Sequence, residues 1–358
     1  MRDREHRVLE TLEQNRRRLP KFTAPRIDMS HGAGGKATHK LIEGLLFPAL
    51  ENPALAPLTD AATLPFGDAR IALTTDSFVV RPLVFPGGSI GELAVNGTVN
   101  DLVVAGASPI GLSTALIIEE GLATEVLTHE IEAMASSAEK AGVSIATGDT
   151  KVVERGKADG LYITTTGVGA VDEALDLSAS SVRPRDKVLC SGTLGDHGAA
   201  ILIARGDLEL EAEVLSDTKP LTPLVEALKG VAGPGLRFMR DPTRGGLGTA
   251  LNELARDSGL GVVLWEDNLP VREVVDGACE ILGIDPLYVA NEGKLLAVVA
   301  PEVADAALES LRNTEGGEEA QIIGEISEEP ARMVIMHTGF GGTRMIDMLV
   351  GDPLPRIC

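Results

Sequence analysis

Gly160-Leu161-Tyr162-Ile163-Thr164-Thr165-Thr166-Gly167-Val168-Gly169-Ala170-Val171, followed at once by the polar, proline-containing stretch 172–186, decides how this chain divides. The β-branched run over 160–171 reads as a strand, and the aspartates, serines and Pro184 after it mark a domain boundary. Upstream, residues 30–170 read as one unit, with helices predicted over 36–46, 89–105 and 124–141 and strands over 69–75, 110–118 and 143–146. Downstream, 187–191, 261–265, 295–299, 321–326 and 333–336 read as strands, and 196–204, 245–257, 271–282 and 303–311 as helices. Helices and strands mix without strict βαβ alternation, so the expected class is α+β in two domains rather than a doubly wound sheet. Residues 1–18 alternate charges with Val8, Leu9 and Leu12, as a short amphipathic helix would before Pro20 and Pro25.

A length of 358 residues suits two domains with proper cores, and 44% hydrophobic residues with only 3% aromatics describes cores of Val, Ile, Leu and Ala. The net charge of −21 argues against a general nucleic-acid binder, and Arg16, Arg17 and Arg18 read as a solvated helix face. No apolar stretch reaches the roughly 18 to 20 residues of a membrane span, and the charged N-terminus lacks a signal-peptide core, so no membrane partner is expected. Cys190, Cys279 and Cys358 show neither metal-ligand nor disulfide spacing, which fits a reducing, cytoplasmic setting. Cys190 and Cys279 read as buried small hydrophobes. Cys358 is different: it ends the chain after a glycine and two prolines, on an extended arm that favours carrying a group between two places. A disordered tail is the plainer reading, and apolar Leu354 and Ile357 weigh against it.

Four aspartate motifs lie in the first half: Gly67-Asp68, Thr74-Thr75-Asp76, Asn100-Asp101 and Gly148-Asp149-Thr150-Lys151. Each alone would serve as a turn or cap residue; together they suggest carboxylates converging on a cation, with Mg²⁺ bridging nucleotide phosphates as the natural choice. Lys151 would add a positive charge, and Asn96 and Asn100, on one helix face, neutral ligands. The run His31-Gly32-Ala33-Gly34-Gly35-Lys36 precedes a helix and either contacts phosphate or acts as a linker. Asp241-Pro242-Thr243-Arg244-Gly245-Gly246 opens a helix and places Arg244 at its positive end, as an anion site or a capped turn. Glu292, in Asn291-Glu292-Gly293-Lys294, is a general base if desolvated and otherwise a turn carboxylate. Gly192–Gly198 reads as a packing turn.

Taken together, Gly67-Asp68-Ala69, residues 74–80, 97–101, 148–151, 241–246 and 291–294, and the terminal Pro355-Arg356-Ile357-Cys358 resemble the HypE family of hydrogenase maturation factors. That family lies within the aminoimidazole ribonucleotide synthetase (PurM-like) superfamily. The aspartate motifs are shared across the superfamily, including thiamine-monophosphate kinase and selenophosphate synthetase; the terminal cysteine arm is particular to the one family. The resemblance implies an N-terminal extension (1–28), an ATP-binding domain (29–171) pairing in a homodimer into a shared β-barrel, a C-terminal α/β domain (182–336) and a mobile tail (337–358). It implies an ATP-dependent carbamoyl dehydratase. The carbamoyltransferase HypF loads the terminal thiol, dehydration gives a thiocyanate, and the cyano group passes to iron on a HypC–HypD complex during [NiFe]-hydrogenase maturation. By motif match Cys358 is the carrier, Glu292 the base and Lys151 a charge-offsetting or phosphate-positioning group. Asp68, Asp76, Asp101 and Asp149 are matched to metal and phosphate, and Asn100, Thr150 and Arg244 to ATP. Two other readings stay open: another ATP-dependent kinase or synthetase of the superfamily, and a non-catalytic scaffold presenting its tail.

Overall fold

Alternating burial along Leu161–Val171 makes that segment the middle of the first domain's sheet, in the computed structural model, which describes residues 21–206, 213–349, 351 and 356–358. The helix expected over 1–18 lies outside the described residues. The sheet is ordered β1 (Ala62–Phe66), β2 (Ala69–Phe78), β7 (Leu161–Val171), β5 (Ala107–Glu119), β6 (Ile145–Val153). Neighbours are antiparallel except β5 and β6, which run parallel. A small hairpin, β3 (Val84–Phe85) and β4 (Gly88–Ser89), follows β2.

The N-terminal helix begins as α1 (Lys36–Leu41), passes through a π-helical turn over Ile42–Leu46 and ends as α2 (Phe47–Leu50). Helix α3 (Ile90–Val104) lies against β2, β7 and β5, and every residue in it is buried except Glu92 and Asp101. Apolar residues cover every side of it, and its buried Asn96, Thr98 and Asn100 are hydrogen-bonded, as an enclosed helix requires. Thr165 Oγ1, 2.5 Å from Thr98 Oγ1 and 2.8 Å from the Ala94 carbonyl, ties the helix to β7. Helix α4 (Thr124–Lys140) is the crossover between parallel β5 and β6. Strand β6 is the sheet's edge and is exposed along almost its whole length. The sheet is open; among the described residues no barrel closes within one chain.

The second domain is a seven-stranded sheet ordered β14 (Thr343–Ile346), β13 (Val334–His337), β10 (Gly261–Trp265), β12 (Gln321–Ser327), β8 (Lys187–Cys190), β11 (Leu296–Val299), β9 (Leu236–Arg240). Its helices are α5 (Asp196–Arg205), α6 (Thr222–Ala232), α7 (Gly246–Ser258), α8 (Glu273–Leu282) and α9 (Ala304–Arg312). One hydrophobic cluster runs from Phe78, Ile90 and Leu161 of the first domain to Leu189, Ile201 and Leu221 of the second, so the two share a core. The α+β expectation holds. Strands β1, β9 and β14 and helix α6 were not predicted. Strand β14 also corrects the tail: the stretch from 337 begins as sheet, and Asp347 is fastened to Lys36 Nζ (2.7 Å) and, through its carbonyl, to Tyr288 Oη (2.6 Å).

Candidate functional site

Asp101 is one of the two α3 residues left outside the packed core, and it opens on a cavity of about 510 Å³ lined by both domains. Asp60, in the loop before β1, and Asp241, after β9, join it there, and one carboxylate oxygen from each lies within 4.8 Å of the other two. Burial and then the neighbouring Asp241, Asp60 and Asp76 hold the Asp101 carboxyl well above its usual range, despite a hydrogen bond from Thr74. Burial and Asp60 push Asp241 up to about 7, and burial raises Asp60 against the pull of Arg240. The Thr74 hydroxyl is 2.8 Å from the Asp60 carbonyl and 2.6 Å from Asp101 Oδ2. One hydroxyl proton satisfies one of these oxygens, whereas a protonated Asp101 donates to the hydroxyl and satisfies the set. Arg240 offsets part of the charge, 3.1 Å from Asp60 and 2.6 Å from Glu253, and His39 Nε2 sits 2.7 Å from the other Glu253 oxygen. The donor set is hard oxygen with surplus negative charge, which fits a divalent cation such as Mg²⁺.

Asp76 lines the same cavity, with its carboxyl raised by burial and partly offset by Arg244. Arg244 precedes α7, whose first residues Gly246 and Thr249 also line the cavity. Arg244 donates to the Gly32 carbonyl (3.1 Å). Gly34 makes this closure possible: its φ is +78° and a Cβ there would lie 2.9 Å from the Arg244 carbonyl oxygen. The glycine-rich run therefore packs on the Asp241–Gly246 turn.

Glu292 is buried, and burial followed by Asp76, Asp217 and Asp241 lifts its carboxyl well above the ordinary range, with Arg244 opposing. Its Oε1 has no hydrogen-bond partner. Its backbone is held on both sides: the amide donates to Asp217 Oδ1 (3.0 Å) and the carbonyl accepts from Asn100 Nδ2 (3.2 Å). Gly293 permits the approach, since a Cβ there would come within 1.9 Å of the Asp217 carbonyl. Beneath it Lys294 Nζ lies 3.2 Å from Asp217 and 3.6 Å from Asp196.

Several expected site residues lie elsewhere within the chain. Asn100, expected as an ATP ligand, spends its amide on the second domain, donating to the Lys219 and Glu292 carbonyls and accepting from Leu221 N. It is a clamp between domains. Asp68 sits exposed in the β1–β2 turn, at the opposite end of β2 from Asp76. Asp149, Thr150 and Lys151 are exposed within β6, where Lys151 Nζ is 2.6 Å from Asp149 and lowers its carboxyl. Asp60 and Asp241 are the carboxylates beside Asp101 that the sequence motifs do not single out. Asp241 belongs to the turn motif that carries Arg244, whereas Asp60 carries no local signal.

The described end of the chain is turned inward. Ile357 is buried in the shared core, and Cys358 lines a second cavity, of about 380 Å³. Gly32 and Arg244 line both cavities. Arg356 pairs with Asp159 (2.5 Å).

Residues 58–171 match the family model described as AIR synthase related protein, N-terminal domain, and 183–336 match AIR synthase related protein, C-terminal domain. Fold and split site thus define an AIR synthase related protein. Within that class, the chain is 52% identical over 332 residues to the carbamoyl dehydratase HypE of Bradyrhizobium diazoefficiens, across 93% of this chain and 96% of that protein. A solved HypE–HypF complex contains a chain of 45% identity and TM-score 0.82, covering 86% of this chain and 99% of that one. HypE in complex with ATP matches at 44% identity and TM-score 0.77, over 93% and 100%. The chain belongs to the HypE family of carbamoyl dehydratases.

Proposed function

We propose that this chain, at the expense of ATP, removes the elements of water from a carbamoyl group carried on Cys358, making the thiocyanate that supplies the cyanide ligand of a [NiFe]-hydrogenase. The observation that carries the reading is the wall shared through Gly32 and Arg244 between the carboxylate-lined cavity and the one ending on Cys358.

The carbamoyl oxygen takes the terminal phosphoryl group of ATP, ADP departs and one nitrogen proton is released. Phosphate then leaves together with the second nitrogen proton, and the sulfur is left bonded to a nitrile carbon. Glu292 is the base: burial raises the proton affinity of its carboxylate, so once ionised it accepts a proton more readily than an exposed one. Arg244 faces Asp76 and Glu292 and is placed to bind phosphate with the N-terminal turn of α7. Asp60, Asp101 and Asp241, with Asp76, would hold Mg²⁺, which offsets charge on the phosphates. Asp68, Asp149, Thr150 and Lys151 act across a homodimer: a second copy pairing at the exposed β6 edge would close the barrel and turn these residues toward a nucleotide. Domain 29–171 then supplies the nucleotide platform, 182–336 the base, and the segment after Leu349 the arm. HypF is the loading partner, supported by the complex of its relative, and a HypC–HypD complex accepts the cyano group.

Intact-mass analysis tests this directly. With carbamoyltransferase, carbamoyl phosphate and ATP, the C-terminal peptide gains a carbamoyl group and then loses one water, and Cys358→Ala abolishes both changes. Label on Cys190 or Cys279, or ATP turnover indifferent to Cys358→Ala, would overturn the proposal in favour of a small-molecule kinase.

A further inference from the structure

The inward end of the chain is gripped by residues that the chemistry above leaves unused. We infer that His197 and Arg205, at the two ends of helix α5, are positioning residues that dock the main chain of Arg356–Cys358 against the strand end after β2 and thereby set the thiol for dehydration. The inference rests on the dehydratase reading for its consequence, though the dock itself does not.

The dock has two sides. On one, Val79 N donates to the Cys358 carbonyl oxygen (3.0 Å) and Arg81 N to that of Arg356 (3.4 Å). As one segment advances by two residues the other retreats by two, which is the spacing of an antiparallel strand pair. On the other side, His197 Nε2 is 2.6 Å from the Ile357 carbonyl, and Arg205 donates through Nη2 to the Arg356 carbonyl and through Nε to that of Arg81 (2.8 Å). Between the two sides the Ile357 side chain drops into the shared core at 1% exposure. These contacts read main chain and the isoleucine.

The chemistry of the partners fixes the imidazole. A carbonyl only accepts, so Nε2 carries the proton and Nδ1 accepts from the Ser216 hydroxyl at 2.8 Å. The serine is set in turn, its amide donating to the Pro86 carbonyl (2.8 Å) and its oxygen accepting from Thr218 N (3.2 Å). Phe85 meets the ring edge-on at 5.6 Å. Burial lowers the pKa of His197, in keeping with a neutral ring in this tautomer. A packing histidine needs none of this alignment toward the last peptide group of the chain.

The test separates dock from chemistry. Maleimide labelling of Cys358 is followed in the isolated protein, without ATP or partner; Cys190 and Cys279 are buried and give little background. His197→Leu raises the labelling rate about five- to tenfold, and Arg205→Ala about fivefold, as lost hydrogen bonds release the inward state. His197→Gln, whose amide can donate to the same carbonyl, stays within about twofold of wild type. On carbamoylated protein, single-turnover dehydration falls by matching factors in the Leu and Ala variants, while ATP affinity and the rate of carbamoyl loading do not fall. If His197→Leu does not fold, Arg205→Ala, at the half-buried end of the helix, carries the comparison. Labelling within twofold of wild type in the variants that fold overturns the dock, and faster labelling with undiminished dehydration overturns its role in positioning. A wild-type protein that never dehydrates its carbamoyl group would sink the dehydratase reading and leave the labelling result intact.

Discussion

Two groups of aspartates in this chain share a residue type and little else. Asp149, on the exposed edge strand, lies beside Lys151, and that neighbour lowers its carboxyl. Asp60, Asp101 and Asp241 converge where water is scarce, and burial raises all three, with like charge added from within the set at Asp101 and Asp241 and from Glu253 at Asp60. The exposed pair is balanced within two residues. In the buried set Arg240 pairs with Asp60 and is shared with Glu253, so it offsets only part of the charge, and ionising the whole set is favoured by an added cation. The difference teaches that an aspartate's role here is set by what balances it, and that the balance is a property of the fold.

The largest effect expected is at Glu292, which belongs to the buried side. Glu292→Gln keeps shape and loses basicity, so single-turnover dehydration should fall by about 10²- to 10⁴-fold while the protein melts no lower than wild type. Dehydration at an undiminished rate would remove it as the base. Next comes the buried set itself. Asp101→Asn should weaken Mg²⁺-dependent ATP binding by about 100-fold in titration calorimetry, yet raise the cation-free protein's stability near neutral pH by about 1 kcal/mol, because it removes the cost of keeping a buried carboxyl protonated there. Loss of stability without the cation would show that this cost is absent.

A smaller effect is expected beside that set. Burial by itself would lower the His39 pKa, but hydrogen bonds to Glu253 and Glu43 outweigh it and raise it to about 9. The folded state therefore binds the proton more tightly than the unfolded chain. The stabilisation is full below about pH 6.5 and is lost as pH rises through about 9, a change of at most about 3 kcal/mol. Denaturant midpoints across that window should fall with pH in the wild type and flatten in His39→Gln. The smallest effect is at the exposed pair: Asp149→Asn should leave the thermal midpoint of the protein unchanged, since a solvated ion pair contributes little. If it nevertheless weakens ATP binding, the edge strand takes part in the site through a second copy, and the contrast between the two groups narrows.

Long periodic segments were legible from sequence: the strands over 161–171 and 261–265 and the helices over 124–140 and 196–205 sit within a residue or two of where apolar spacing puts them. Short strands were not. Leu236–Arg240 and Thr343–Ile346 carry too few residues for period two to show, and only their partners across the sheet define them. The site divides the same way. Glu292 and Arg244 stand out in sequence because turn motifs announce them. Asp60 does not, because its meaning comes from Asp241, 181 positions away in sequence, and no local pattern encodes that meeting. Asn96 and Asn100 share a helix face as their spacing requires, but spacing does not tell what that face meets; here it is the other domain's Thr218 hydroxyl and main chain.

That split has a bearing on the order in which the molecule is made. Asp60 and Asp101 precede the linker and Asp241 follows it, so a nascent chain whose first domain has already left the ribosome holds two of the three carboxylates. The third charge arrives with the second domain, at the moment the shared core closes. Crowding of like charge is thus postponed until apolar burial is there to offset it, and a chain cut short before Asp241 never acquires the pocket at all.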